Sequence, residues 1–490
     1  MIDSDLASIQ TSIHAEMKAT SLPSLAVAAA FDGEIVWERA FGWANRSRRL
    51  RSTVHSPYSL ASISKPMTTT ALMVLLERGL IDLDAPANKY LGDAKLTAVY
   101  GDADGATVRR IANHTSGLPL HYQFFYADEP YHRPSMDETI RRYGTLVRMP
   151  GERVQYSNLG FGILDHIISR VSGKPFCDFM REEIFIPLGM LRSCVDLTSD
   201  LEPYQAIRYG RDGVSYPMYD FDHPGASAIY SSVHDLIRFG MLHSQTLRPD
   251  QSQILKPETI DAMQVLMHKP EERSGFGVGW HVDSECGGVR LISHSGGMGG
   301  VSTSLLIVPE LKVVVAALAN AASALPHRVA EDVLAALAPE FGAERKAIRE
   351  KRKVERETET KTQPTFEASP TLLGEWIGIV KTPDKDLPIT LWFKPAGDVH
   401  VRLDDQLKAL VNDAQLKDGE FKGVFLGDVG YEDADRRPYH LHFDLALRDD
   451  LLTGCILALT VIKGGEGGAP GKRTGNALSF AATLSKTGAE

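Results

Sequence analysis

The chain has 490 residues, 43% of them hydrophobic and 24% charged, with a formal charge of −10 at pH 7; that length fits roughly three domains, or one large domain and a small one. An acidic chain offers no basic face for general nucleic-acid binding. No run of 18 apolar residues is present to span a bilayer, since the longest candidates, Leu25–Phe31 and Val313–Ala319, are of strand length.

The first residues, Met1-Ile2-Asp3-Ser4-Asp5, lack the basic and apolar regions of a secretory signal. Cys177, Cys194, Cys286 and Cys455 are scattered without metal-ligand spacing and read as free thiols. The expectation is a cytoplasmic protein.

Leu6, Ile9, Ile13 and Met17 recur at helical spacing, so the chain opens on an amphipathic helix. Leu25–Phe31, an Asp32-Gly33 turn and Ile35-Val36-Trp37 form a hairpin signature, because Asp-Gly supplies the positive φ angles of a tight turn. From about 58 to 340 helical patterns alternate with Gly- and Pro-rich loops. Val301–Val308 and Leu311–Ala319 then read as strands across a Pro309-Glu310 turn. This region begins and ends with strands and holds helices between them. An antiparallel sheet built from both of its ends, flanked by helices, is the economical arrangement, of the α+β class.

From Glu344 to Lys361 the sequence turns to Arg, Lys and Glu, which reads as a solvated linker or an exposed helix. Beyond it, Trp376–Val380, Ile389–Phe393, Val399–Leu403, Tyr439–Leu445 and Leu457–Ile462 are short alternating segments separated by turn residues. They predict a small all-β barrel or sandwich, with Gly464–Gly475 as a flexible loop inside it. The expected organisation is 1–342, a charged linker over 343–368, and a barrel over 369–490. No internal repeat is evident.

Three short segments can carry chemistry. Ser62-Ile63-Ser64-Lys65 is the only Ser-x-x-Lys in the chain. Pro66 is tolerated only in a first helical turn, so a helix through Met67, Ala71 and Val74 begins near Ser62. Ser62 and Lys65 then share a face one turn apart. A desolvated lysine can activate a serine hydroxyl, and a helix N-terminus favours developing negative charge. A Ser cap followed by an exposed Lys is the competing reading of these four residues. Tyr156-Ser157-Asn158 precedes a helical run from Leu159 to Val171, where a phenol can shuttle a proton and an amide can bind a carbonyl. A phenolate stabilised by a nearby ammonium is the form expected there, and an ordinary cap beside a core aromatic is the alternative. His294-Ser295-Gly296-Gly297 closes an apolar segment, and glycines at a strand end allow close approach to backbone N–H groups. A glycine-rich hairpin would look the same. Lys486-Thr487-Gly488 is set aside, because it stands at the chain's end, where a reacting group is poorly held.

Taken together, Ser-x-x-Lys, Tyr-x-Asn and His-x-Gly in this order resemble the serine β-lactamase and penicillin-recognising hydrolase superfamily, in particular its class C-like branch of DD-peptidases, D-aminopeptidases and β-lactamase-like esterases. Tyr58–Ala61 (YSLA), Asn113–Pro119 (NHTSGLP) and Ala226–Phe239 (ASAIYSSVHDLIRF) resemble it too, so the likeness covers roughly 5 to 340. The resemblance implies Ser62 as acylated nucleophile, Lys65 as its proton acceptor and Tyr156 as acid/base of the acyl-enzyme cycle. It implies Asn158, His294 and Gly296 as substrate contacts, with the N–H groups of Ser62 and Gly297 as the oxyanion hole. His294 stands where β-lactamases usually carry lysine, which counts against antibiotic hydrolysis. A histidine of ordinary pKa there would be mostly neutral near pH 8 and would charge toward pH 6. The C-terminal region resembles the lipocalin-like barrels appended to some members.

The expectation is therefore acyl transfer to water on a small-molecule or short-peptide substrate, with no metal, no cofactor and no nucleic acid. A peptidase or amidase favouring D-residue peptides comes first. A carboxylesterase, a β-lactamase, and a non-catalytic binding or sensor protein are the alternatives. Nothing fixes the oligomeric state, and a homo-oligomer is compatible with the sequence.

Overall fold

The computed structural model describes residues 2–267, 273–361, 370–461 and 475–487. Its centre is an eight-stranded antiparallel sheet in the order Ser274–Phe276, His281–Asp283, Leu291–Met298, Val301–Val308, Val313–Ala319, Ser24–Phe31, Glu34–Asn45 and Leu50–Arg51. The two ends of the region do meet: Ser24–Phe31 pairs with Val313–Ala319, from Leu25 opposite Ala319 to Phe31 opposite Val313. Asp32 (φ 46°) and Gly33 (φ 85°) make the expected tight turn. Leu311 and Lys312 belong to the turn after Pro309 rather than to the strand, Lys312 taking a φ of 53°.

Both faces of this sheet are covered, which explains why its central strands read as unbroken apolar runs. Leu25, Val27 and Ala29 point to one face, against the helices Ile2–Thr20 and Leu325–Leu337. Ala26, Ala28 and Ala30 point to the other, where the helices Ser64–Glu77, Asn158–Ser172 and Val233–His243 form the main core. The small side chains on that face let the helices approach closely.

Of the two readings of the charged stretch, solvated linker or exposed helix, its described part takes the helix. It is the second half of a helix, Pro339–Lys361, that runs across the expected boundary at 342. Phe341 is buried and Ile348 packs beside it, while Arg345 reaches Glu331 at 2.9 Å and Asp283 at 3.6 Å. A helix with few apolar residues is thus held by ion pairs to the strand His281–Asp283 and to the helix Leu325–Leu337.

A nine-stranded antiparallel sheet follows, running from Gly374 to Lys486 in the chain. Its two edges are Ala409–Leu410, paired with Val399–Leu403, and Asn412–Lys417, paired with Glu420–Phe425. Only Val411 separates them, so one continuous segment joins the edges and the sheet is a nearly closed barrel. The strands Glu420–Phe425 and Ala477–Lys486 carried no clear sequence signal, and the Gly464–Gly475 loop lies, up to residue 474, outside the described residues. The barrel is docked directly on the first region. The backbones of Tyr122 and Ala477 exchange two hydrogen bonds of 2.9 Å. The buried Arg148 side chain donates to Glu420 and Asp444 at 2.7 Å each, and to the Thr453 carbonyl at 3.2 Å.

Candidate active site

Ser62 sits in a one-turn 3-10 helix, Ala61–Ile63, that leads into the α-helix Ser64–Glu77, with Pro66 in the first turn. Ala61 is held at a φ of 48°, a costly conformation for a residue with a Cβ. Its neighbours fix it there. Ser64 Oγ donates to the Ala61 carbonyl at 2.7 Å and accepts from the Ile229 N–H at 3.1 Å. Thr303 Oγ1 donates to the Leu60 carbonyl at 2.9 Å, tying the turn to the strand Val301–Val308.

Lys65 is fully buried, and its Nζ lies 3.2 Å from Ser62 Oγ, 2.7 Å from Asn158 Oδ1 and 3.1 Å from the Ala226 carbonyl. Burial pushes its pKa well below the usual lysine range. An unprotonated amine spends two N–H groups on Asn158 and Ala226, which leaves its lone pair for the Ser62 hydroxyl. The Tyr156 hydroxyl also hydrogen-bonds Ser62, and burial raises its pKa against that bond. Lys65 Nζ lies 4.8 Å from the Tyr156 ring centroid. Burial thus penalises both charges of the phenolate–ammonium pair expected from the sequence.

Asn158 is the first residue of the helix Asn158–Ser172, but it is not the cap. Ser157 accepts the Gly160 N–H and donates to the Pro119 carbonyl, which frees Asn158 to face Lys65. His114 had no role assigned from the sequence. Its ring packs 4.4 Å from that of Tyr156, its Nδ1 accepts the Ser157 N–H at 3.2 Å, and burial holds it neutral. The Asn113–Pro119 segment was legible as a likeness, but nothing in its spacing joins it to Tyr156.

His294–Gly297 lie inside the strand Leu291–Met298, not at its end. His281–Asp283 pairs only with Leu291–Ser293, so the edge beyond Ser293 is open to the cleft. His294 and Gly297 line that cleft. Gly296 does not: a Cβ there would meet the Leu60 carbonyl and Thr303 Oγ1, each at 2.2 Å. Gly296 therefore sets the distance between strand and Ser62 turn instead of touching substrate, which corrects the sequence expectation. His294 Nδ1 bonds the Ser295 carbonyl at 2.7 Å, and burial lowers its pKa to about 3. The expected charging of His294 toward pH 6 is thereby overturned.

Two cavities meet at Ser62, Tyr156 and Gly297. One, of about 450 Å³, has His281, Ser293, His294, Arg345 and Arg352 in its wall beside Phe276, Leu291 and Leu306. The other, of about 360 Å³, is lined by Leu120, Tyr122, Phe124, Phe221 and Met298. The two arginines come from the charged helix and are paired with Glu331, Asp283 and Glu285. Among the described residues, Lys486 lies far along the last barrel strand, bonded to the Thr371 carbonyl.

The fold resembles that of the octameric penicillin-binding protein homologue from Pyrococcus abyssi, at 23% identity and a TM-score of 0.60, over 96% of this chain and 100% of that one. It also resembles a class C β-lactamase, at 18% identity and a TM-score of 0.59, over 68% of this chain and 96% of that one. In sequence the chain is 28% identical to a penicillin-binding protein of Bacillus subtilis over 303 residues, 57% of this chain and 64% of that protein. It is 27% identical to the D-alanyl-D-alanine-carboxypeptidase/endopeptidase AmpH of Escherichia coli over 288 residues, 56% of this chain and 74% of that one. No described helix is long and apolar enough to cross a membrane. The model of the β-lactamase family matches residues 9–340, which hold Ser62, Lys65, Tyr156 and His294, and the chain belongs to that family.

Proposed function

We propose that the chain is a serine hydrolase working through a Ser62 acyl-enzyme, and that its substrates are short peptides or amides, D-residue peptides foremost. The observation that carries this is the buried Lys65 amine, its pKa depressed by desolvation, 3.2 Å from the Ser62 hydroxyl, which the Tyr156 phenol also bonds. Lys65 takes the Ser62 proton as Oγ attacks the carbonyl carbon. The N–H groups of Ser62 and Gly297 receive the oxyanion, and Tyr156 hands a proton to the leaving nitrogen. Water then repeats the attack on the Ser62 ester with the same groups in reverse. Asn158 holds Lys65 and offers its amide to the substrate.

Two cavities at the nucleophile, one with histidines and arginines in its wall and one with aromatic rings, suit a scissile bond with unlike flanks, and a relative named for D-alanyl-D-alanine carboxypeptidase activity supports the D-peptide preference. The apolar wall favours a carboxylesterase as the second reading, because an aromatic-lined lobe accepts an acyl chain as readily as a side chain. A neutral His294 in place of a lysine argues against β-lactams as preferred substrates.

The division into a 1–342 hydrolase region and a 369–490 barrel is part of the proposal, as is a cytoplasmic site of action, which the four free cysteines support. The octameric Pyrococcus abyssi homologue supports assembly into a homo-oligomer. A panel of D- and L-aminoacyl p-nitroanilides, p-nitrophenyl esters and nitrocefin tests the substrate class. The proposal expects the D-aminoacyl anilides to give the highest kcat/KM relative to their uncatalysed hydrolysis. Turnover of esters alone would overturn it.

A further inference from the structure

Behind the apolar lobe the chain buries three polar side chains together. His121 precedes the wall residue Tyr122, and Asp222-His223 follows the wall residue Phe221. The strands Phe124–Tyr126 and Tyr219–Phe221 pair antiparallel, and that pairing brings these flanks into contact. His121 and His223 are 0% exposed and Asp222 is 3% exposed. Asp222 Oδ2 lies 3.5 Å from His121 Nε2 and 3.3 Å from His223 Nε2, and one donor atom of each residue lies within 4.8 Å of the other two.

None of the six polar atoms of these side chains makes a well-aligned hydrogen bond; the two Nε2–Oδ2 approaches are long. Buried polar groups are normally hydrogen-bonded, so three such side chains gathered at one place without aligned partners call for a compensating ligand. The spacing indicates which. A tetrahedral ion with bonds of ~2.0–2.1 Å to nitrogen and oxygen sets its ligand atoms ~3.3 Å apart. The ring of His121 is fixed by stacking on Tyr143 at 3.9 Å. A Cβ on Gly162 would touch His223 Nδ1, so that nitrogen faces the helix while Nε2 faces Asp222. Calcium and magnesium prefer six or more oxygens, whereas two imidazoles and a carboxylate suit zinc-like ions.

We propose that His121, Asp222 and His223 bind one first-row divalent transition-metal ion of the zinc type. It clamps the 119–124 and 219–227 segments together. Phe124 and Phe221 of the aromatic wall face each other across the strand pair next to the ligands, and the Ala226 carbonyl that holds Lys65 follows three residues after His223. The ion takes no part in the chemistry at Ser62, so the inference stands or falls apart from the hydrolase reading.

The test uses the full, untagged chain, stripped with a chelator and titrated with Co2+ and Zn2+. Expected are one ion per chain, the intense visible bands of tetrahedral Co2+, and a higher Tm with Zn2+. His223→Ala and Asp222→Asn should each weaken binding at least ~10-fold. X-ray absorption of the Zn2+-loaded parent needs no variant to fold, and should show a nitrogen/oxygen shell with imidazole scattering. Overturning results are no ion retained at micromolar Zn2+, a sulfur-containing shell, or folded variants that bind as the parent does.

Discussion

The strand that carries His294 and Gly297 is held at a fixed distance from Ser62 by the missing side chain of Gly296. An alanine there would place Cβ 2.2 Å from the Leu60 carbonyl oxygen, 2.2 Å from Thr303 Oγ1 and 3.1 Å from Ala61 Cβ. The first two are impossible contacts with a carbonyl and with a hydroxyl that is itself bonded to that carbonyl. The strand or the Ser62 turn must retreat by roughly 1 Å, and a shift of that size at a reacting centre costs on the order of 10²-fold. Gly297→Ala is the matched control, since nothing lies within 4 Å of its Cβ position and its N–H is kept. We predict that Gly296→Ala lowers kcat/KM and the rate of fluorophosphonate labelling by ~10²-fold, whereas Gly297→Ala stays within about five-fold of the parent. Steady-state kinetics on any substrate turned over, with Tm as the control for folding, reads both. If Gly296→Ala keeps full activity at an unchanged Tm, the strand is not seated against the Ser62 turn and the oxyanion geometry argued from it fails.

Lys65→Met should abolish turnover yet raise Tm near pH 6–7. The folded chain holds this amine below its unfolded pKa, so the unfolded state binds the extra proton and parent stability rises with pH up to about 10. The stability gain of the methionine variant must therefore shrink as pH rises, which denaturation at several pH values would show. For His294, neutral above a pKa of about 3, the ratio of kcat/KM for anionic over neutral substrates should carry no His294 inflection between pH 5 and 8. His294→Lys should raise that ratio by roughly five-fold, about 1 kcal/mol; an unmoved ratio would mean that position 294 does not face substrate. Arg148→Ala leaves Glu420 and Asp444 short of a buried partner, with Arg153 as their remaining cation, and should cost about 3 kcal/mol in urea unfolding. A loss below ~0.5 kcal/mol would show that the barrel does not depend on this docking.

What the sequence made legible was local. Asp32-Gly33 dictates its turn, Pro66 dates the start of its helix, and the three motif segments announce themselves by residue type and spacing. The sheet edges could be paired because apolar strands at both ends need partners. Long-range electrostatics was not legible. The depressed pKa of Lys65 and of His294 and the raised one of Tyr156 come from burial by elements distant in the chain. Gly296 and Gly297 are indistinguishable as letters, yet one packs on Leu60 and the other faces the cleft. His121 and Asp222-His223 stand about a hundred residues apart, with no ligand spacing to join them until Phe124–Tyr126 pairs with Tyr219–Phe221. The helix from Pro339 reads as solvated because its partners, Asp283 and Glu331, are contributed by other elements.

The central claim is that Ser62 is the nucleophile, and trapping tests it most directly. The parent chain is treated with a fluorophosphonate, its intact mass is measured, and the modified peptide is sequenced. We predict one adduct per chain, on Ser62, none on Ser62→Ala, and labelling slowed at least ~10²-fold in Lys65→Met. An adduct that persists in Ser62→Ala, or that maps to another residue in the parent, would contradict the account.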